Sequence, residues 1–399
     1  MAFRSLPSQA GGALARLSLL GILALGIAGC QLVPKSGDRT GSTPAPTEVS
    51  EDDLPGPVLP AGETRNRVAV LVPLTGSNAA VGQSIANSAN LALADLGSER
   101  IRITAYDTAR SGPEAAASQA LADGNGLFLG PLLAEDARAI APMARRANVP
   151  VIAFSNDVSI AGDGVYVMGL NPGQSIDRVV QYARSRGATR FGALLPTSIY
   201  GERAGRAFTA SVQRAGGNVV SVQTYDRTPE TLRTAATALA RQGPFDAVLI
   251  ADGARMAAIA VPIVRRGAPQ TRILGTELWA TEANVGAQSA LRGAWFAAPS
   301  SANFEQLRTR YRARYGSNPY RLGSLGYDSV LLAVRISENW RLGRRFPARQ
   351  LRNDDGFVGV DGAFRFGRDG IAERALAVLE VTAAGTNVLA PAPTNFRGN

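Results

Sequence analysis

From Arg67 onward the chain alternates short β-branched runs with longer stretches of helical period. Val68-Ala69-Val70-Leu71-Val72 is a continuous apolar run, the pattern of a strand buried on both faces. After a glycine-containing turn, Ala86, Ala89, Leu93 and Leu96 recur at spacings of three and four, which predicts a helix. Strand 101–105, helix 114–122, strand 127–129, helix 134–147 and strand 151–154 follow. The rhythm restarts after Asn171, with helices 176–186, 202–215, 230–242 and 256–266. Between and after these lie strands 191–195, 219–223, 247–250 and 272–274. Repeated βα units imply parallel sheets with helices on both faces. Two series in one chain predict an α/β protein of two doubly wound, Rossmann-like lobes with a cleft between them.

In such lobes a ligand sits beyond the C-terminal ends of the strands. The residues there are the cleft candidates: Thr75 and Gly76, then Ser155, Asn156 and Asp157, then Tyr200, Asp252 and Glu277. Each position has a second reading. Tyr200 fits packing against a hinge as well as covering a ligand. Asp157, Asp252 and Glu277 fit helix capping or an interlobe ion pair with arginine as well as ligand contact.

The first thirty residues follow a different pattern. Arg4 and Arg16 precede an apolar stretch from Leu17 to Ile27, too short for a ~20-residue membrane span. It closes on Ile27-Ala28-Gly29-Cys30. Small residues before a scissile bond suit a signal peptidase, and a cysteine directly after it is the group that acyl transfer needs. The segment resembles a bacterial lipobox, so residues 1–29 read as a signal peptide and Cys30 as the lipidation site. The other reading is an uncleaved apolar anchor with an incidental cysteine. Gln31 follows, not the aspartate that retains lipoproteins at the inner membrane of enteric bacteria. The lipobox resemblance therefore implies the inner leaflet of the outer membrane, facing the periplasm. Residues 30–66, with six prolines and the acidic run Glu51-Asp52-Asp53, read as a disordered tether.

Composition closes several routes to chemistry. The 399 residues contain no histidine and one cysteine. That excludes a Ser-His-Asp triad, an imidazole metal site, an internal disulfide and a Cys-ligated cluster. No catalytic residue, metal or cofactor is expected. The formal charge is +10, with Lys35 the only lysine. The tether sets Lys35, Arg39 and Arg65 against six acids, a net −3, and Arg4 and Arg16 leave with the signal peptide. The body from Arg67 therefore carries +11. In an exported protein such a charge faces acidic proteins, lipid head groups or peptidoglycan, not nucleic acid. Arg308 and Arg312 share one helix face, and Arg344 and Arg345 follow the next helix. These four are the partner-surface candidates, with a solvated arginine face as the plain alternative.

Pro73-Leu74-Thr75-Gly76 with Gly82, Gly130-Pro131, and Val149-Pro150-Val151-Ile152 resemble type I periplasmic binding proteins. So do Tyr200-Gly201, Gly326-Tyr327-Asp328 and Gly362-Ala363-Phe364-Arg365-Phe366 with Gly370. The resemblance spans about 67–385. It implies a bilobed domain over 67–390, with lobe 1 about 67–166 and 300–355, lobe 2 about 167–299 and 356–390, and a tail at 391–399. Ala153-Phe154-Ser155-Asn156-Asp157 with Gly164-Val165-Tyr166 resembles the penicillin-binding protein activator lipoproteins of that fold. Their implied partner is a bifunctional penicillin-binding protein, a peptidoglycan synthase, and their implied role is non-catalytic regulation of cell wall synthesis.

Amino-acid receptors hold the ligand carboxylate just after the Gly-Pro loop. Here that stretch is Leu132-Leu133-Ala134-Glu135-Asp136, whose two acids would repel an anion. Tyr200 and Glu277, by the same resemblance, match positions that cover the ligand and meet its amino group. The competing expectation is a lipoprotein substrate-binding protein of an ABC transporter, for a small polar ligand such as an amino acid. A peptidoglycan fragment is a further possible ligand. A glycan-cleaving enzyme using two acids from different loops, such as Asp157 and Glu277, is the third reading.

Overall fold

The computed structural model describes residues 53–282, 284–299 and 302–396. In chain order the first lobe begins with strand β1 (Asn66–Val72), helix α1 (Ala79–Leu96), β2 (Ile101–Asp107) and α2 (Pro113–Ala122). It continues with β3 (Asn125–Leu129), α3 (Ala134–Arg146), β4 (Val151–Ala153) and β5 (Val165–Val167). These strands form a parallel sheet in the order β2-β1-β3-β4-β5. Alternation within β1 explains why the run is wholly apolar. Val68, Val70 and Val72 enter the core on one face, Ala69 and Leu71 the core on the other.

The second lobe repeats the scheme with α4 (Pro172–Ser185), β6 (Arg190–Pro196), α5 (Ile199–Arg214), β7 (Asn218–Tyr225) and α6 (Pro229–Ala240). Then come β8 (Ala247–Ile250), α7 (Ala254–Gly267), β9 (Arg272–Leu274), the short α8 (Leu278–Thr281) and β10 (Trp295–Ala298). Val248 and Ile250 of β8 face one core, Ala247 and Leu249 the other. Helix α4 starts four residues earlier than its apolar period suggests. Asn171 caps it, accepting from the Gly173 amide at 2.7 Å, and Pro172 occupies the first turn.

The two lobes solve the first strand-to-helix turn alike. Gly82 of α1 lies against Pro73, and Gly201 of α5 against Pro196. A Cβ at either glycine would stand 1.8 Å from the proline carbonyl oxygen. Only glycine lets the helix approach the strand end that closely.

The chain then returns to the first lobe through α9 (Ala302–Tyr315) and α10 (Gly323–Ser337), followed by β11 (Phe357–Gly359), β12 (Gly362–Phe366) and β13 (Ala372–Arg374). These three strands make a small antiparallel sheet. This corrects the lobe boundary read from sequence. Phe364, Phe366 and Ala372 belong to the first lobe's core, with Phe366 edge-on to Tyr166 at 5.4 Å. The last crossing comes after Arg374. Strand β14 (Ala377–Thr382) pairs antiparallel with β10, and β15 (Gly385–Ala390) antiparallel with β14, completing the order β15-β14-β10-β9-β8-β6-β7.

Two crossings are tied together. The Gln174 side chain bonds the Ala372 carbonyl at 2.6 Å and the Arg374 amide at 3.0 Å, and Arg374 donates to the Met168 carbonyl at 2.9 Å. Beneath them Asp361 pairs with Arg321 at 2.6 Å, and Asp328 accepts from the Val360 amide. Burial together with the neighbouring Asp361 pushes the Asp328 carboxyl up.

The last part of the expected tether is bound to the body. Residues 30–52 and Cys30 lie outside the described residues, but 53–63 are strapped onto the first lobe. The Arg345 amide donates to the Leu54 carbonyl and the Gly56 amide to the Gly343 carbonyl, both at 3.0 Å. Nor is the start of the expected tail loose. The Arg178 guanidinium reaches the Pro391 carbonyl at 3.5 Å, and Arg365 lies over the Phe396 ring.

Candidate functional site

The strand ends named from sequence form two walls, one per lobe. On the first wall the Thr75 hydroxyl donates to Asp107 Oδ2 at 2.8 Å, and the Leu74 and Ala109 amides hold Asp107 Oδ1. Thr75 is thus bound into its own loop, while Gly76 and Asn156 are exposed. Ser155 is buried and accepts from the Asp157 amide at 3.0 Å.

Asp157 is only 4% exposed and fully engaged. Its Oδ1 accepts from the Ser159 amide at 3.0 Å and hydroxyl at 2.6 Å. Its Oδ2 meets Arg138 of α3 at 2.5 Å and Arg203 of α5 at 2.7 Å. Burial alone would raise its pKa, but the Ser159 groups, Arg138 and Arg203 outweigh burial and hold it down at about 2. Both readings beside ligand contact are realised together. Asp157 caps the turn at Val158–Ile160 and clasps the second lobe through Arg203.

On the second wall Asp252 is likewise saturated. It accepts from the Tyr225 hydroxyl at 2.9 Å, from Arg227 Nη2 at 3.0 Å and from the Gly253 amide at 2.8 Å. Glu277 differs. It is 4% exposed, its Oε1 lies 3.0 Å from the Tyr200 hydroxyl, and its Oε2 is buried without a partner. Tyr200 also meets the Thr276 hydroxyl at 2.8 Å. Burial drives the Glu277 pKa up to about 7, against hydrogen bonds from its own amide, Tyr200 and Ser175. The Tyr200 phenol is raised as well, by burial and then by Glu277. The arrangement can hold a proton at pH 7 or accept a cationic donor at Oε2.

Next to this wall a crevice of about 490 Å³ runs between the lobes. Trp279, Val285 and Phe296 of the second lobe face Phe304, Arg308 and Arg321 of the first across it. Among the described residues no group of three or more His, Cys, Asp or Glu side chains is placed to hold a metal ion. Further along the chain Asp136, half-buried in the first turn of α3, is pushed up by burial, with the Thr108 hydroxyl opposing.

The four surface arginines fall into two pairs with different contacts. Arg308 pairs with Glu305 and, with Arg312, borders a shallow hollow on α9. Arg344 donates to the Asp53 carbonyl at 3.0 Å and Arg345 to that of Pro55 at 3.4 Å, so both hold the N-terminal strap. Tyr311 and Tyr315 are tied to Asn87 of α1, as a core stripe should be. Sequence reasoning missed Arg138, Arg203 and Arg227, the partners that decide what the cleft acids do. Arginines are so frequent here that none of the three stands out.

Comparison with known proteins follows the same outline. Residues 66–386 match the family model described as periplasmic binding protein. A solved structure titled a putative branched-chain amino acid ABC transporter, from Rhodospirillum rubrum, superposes with a TM-score of 0.73 at 19% identity, covering 82% of this chain and 100% of that one. The C-domain of LpoA from Haemophilus influenzae, titled a regulator of PBP1A, superposes with a TM-score of 0.64 at 18% identity, covering 81% and 100%. At these identities the likeness is one of fold. An uncharacterized protein of Rickettsia prowazekii is 25% identical over 169 residues, 42% of this chain and 45% of that protein. The chain thus matches less than half of that relative's length.

Proposed function

The chain belongs to the periplasmic binding protein family, and on that premise we propose that it is a lipid-anchored periplasmic regulator that binds and activates a penicillin-binding protein. In this reading residues 1–29 are removed, Cys30 is acylated at the inner leaflet of the outer membrane, and the bilobed body meets the synthase. Activation is by protein contact, with no reaction of its own. The observation that carries the reading is the clasp of Asp157 by Arg203. The first-lobe acid at the cleft is spent on the opposite lobe, so at this point the two lobes are joined by a direct ion pair. The likeness to the LpoA C-domain supports the choice of partner. Stimulation of a bifunctional synthase from the same cell, measured as glycan polymerisation and crosslinking with and without the purified chain, tests it. A synthase that neither binds nor responds overturns it.

A second reading rests on Glu277. Its unpartnered Oε2 beside Tyr200 is a receptor for an ammonium group, which fits a substrate-binding protein of an ABC transporter for a small polar ligand such as an amino acid. The acids Glu135 and Asp136 weaken it, because the resemblance aligns them with the stretch after the Gly-Pro loop where amino-acid receptors hold the ligand's carboxylate. Calorimetry against amino acids decides: saturable heat lost in Glu277→Gln favours this reading, and no heat with any of them removes it.

A further inference from the structure

The end of the first lobe opposite the cleft has chemistry that the cleft does not use. Here the N-terminal ends of β3, β4 and β5 meet the loop at 341–345 that receives the strap. An open pocket of about 300 Å³ lies between them, lined by Arg145, Pro150 and Asp163 on one side and by Arg345, Phe346 and Arg349 on the other. Arg146 follows Arg145 in the last turn of α3, and Arg341 and Arg344 stand in the strap loop. Among the described residues, Asp163 lies 3.0 Å from Arg145 and Asp53 2.5 Å from Arg341, with the guanidinium groups of Arg146, Arg344 and Arg345 at the same end.

Two apolar side chains project from the same end. Val58 on the strap, beside the start of β3, is 88% exposed, and Leu342 in the loop is 50% exposed. Guanidinium groups flanked by exposed aliphatic side chains suit the boundary between water and lipid head groups, where phosphates take bidentate hydrogen bonds and apolar tips enter the acyl edge. An acidic protein surface would leave the two aliphatic groups without use. The strap begins at this end, where Asp53 and Leu54 meet the loop at 341–345.

We propose that this end of the first lobe docks on a bilayer containing anionic phospholipid, with Arg145, Arg345, Val58 and Leu342 as its contacts. The proposal rests on the anchoring of Cys30 but is not implied by it. The 24 residues from Cys30 to Asp53 span up to about 80 Å when extended, so an anchored body is free to stand clear of the surface. Docking turns the cleft, at the other end of the sheet, away from the membrane.

Neutron reflectometry of the lipidated full chain on supported bilayers tests this. With phosphatidylglycerol present and little salt, the body lies on the head groups without a water gap. A gap opens on pure phosphatidylcholine, in ~0.5 M salt where charges are screened within a few Å, and in the R145E/R345E variant, whose fold is checked by its thermal transition. The same gap on both bilayers, or no change in the variant, overturns the proposal. If the chain washes off both bilayers, anchoring has failed instead. Docking is then read by cosedimentation of the same chain with vesicles of the two compositions. At about 1 kcal/mol per arginine near an anionic surface, loss of the two arginines alone lowers binding to phosphatidylglycerol vesicles roughly thirtyfold, and the reversed charges of R145E/R345E lower it further. Equal binding of both proteins to both vesicles overturns the proposal there. Loss of synthase binding in the variant with the gap unchanged assigns the surface to an acidic protein and overturns it too.

Discussion

Asp157 and Glu277 stand at strand ends of opposite lobes, both buried, and behave in opposite ways. Asp157 has two arginines, a hydroxyl and an amide around its two oxygens. Among the described residues Glu277 has no cation beside it: the Tyr200 hydroxyl meets Oε1, and Oε2 is buried without a hydrogen-bond partner of good geometry. Burial disfavours the charge of both carboxyls, more strongly at the deeper Glu277, and only Asp157 has cations beside it to outweigh that. A paired acid is a structural clasp, whereas an underpaired one is a place for a proton or a ligand. Strand-end position therefore marks where to look, and the hydrogen-bond count says what is found.

The two acids give stability opposite dependences on pH. The folded pKa of Glu277 is raised from 4.5 to about 7. Its contribution is therefore complete below pH 4.5 and is lost as pH rises through 7. Relative to Glu277→Gln, the wild type loses about 3 kcal/mol over that window. Urea midpoints of both proteins across the window measure it. Parallel profiles would mean that Glu277 is charged and partnered, and would erase the contrast between the walls.

Asp157 runs the other way and by less. Its pKa is lowered from 3.8 to about 2, so its contribution is present above pH 3.8 and lost as pH falls through 2. Asp157→Asn removes about 2 kcal/mol at neutral pH and flattens the acid limb of the stability profile. Since the same carboxylate joins the lobes, the variant also has a larger radius of gyration by small-angle scattering. Unchanged scattering would mean that the hinge cluster around Gln174 and Arg374, and not the clasp, holds the lobes.

Much of this was legible in the residue pattern, and the exceptions share a cause. Runs such as Val68–Val72 and Ala247–Ile250 identify themselves because both of their faces are buried. The hairpin strand 362–366 also shows its alternation, but alternation says nothing about which lobe it joins. That depends on Phe366 meeting Tyr166, two hundred residues earlier. Likewise the strap is held by backbone hydrogen bonds at Leu54 and Gly56 and by Arg341, Arg344 and Arg345 from almost three hundred residues later, contacts that leave no mark on a proline-rich composition. At the cleft the acids Asp157, Asp252 and Glu277 were visible as polar residues after strands. Their roles were not, because Arg203 and Arg227 reach them from elements whose packing only the fold decides.

The smallest effect separates neutralising Asp157 from joining the lobes. Arg138 and Arg203 both contact Oδ2, but Arg138 belongs to the same lobe as the acid and Arg203 to the other. Either change to glutamine leaves the carboxylate one cation and its Ser159 bonds. Each variant should therefore lose only about 1 kcal/mol, the scale of a single charge-assisted contact with a partly exposed partner. Scattering tells them apart. Arg203→Gln severs the interlobe contact and expands the body as Asp157→Asn does, while Arg138→Gln leaves its dimensions unchanged. Equal expansion in both would mean that the charge on Asp157, and not its bond to Arg203, sets the lobe spacing. The clasp would then be a local cap that happens to face the other lobe.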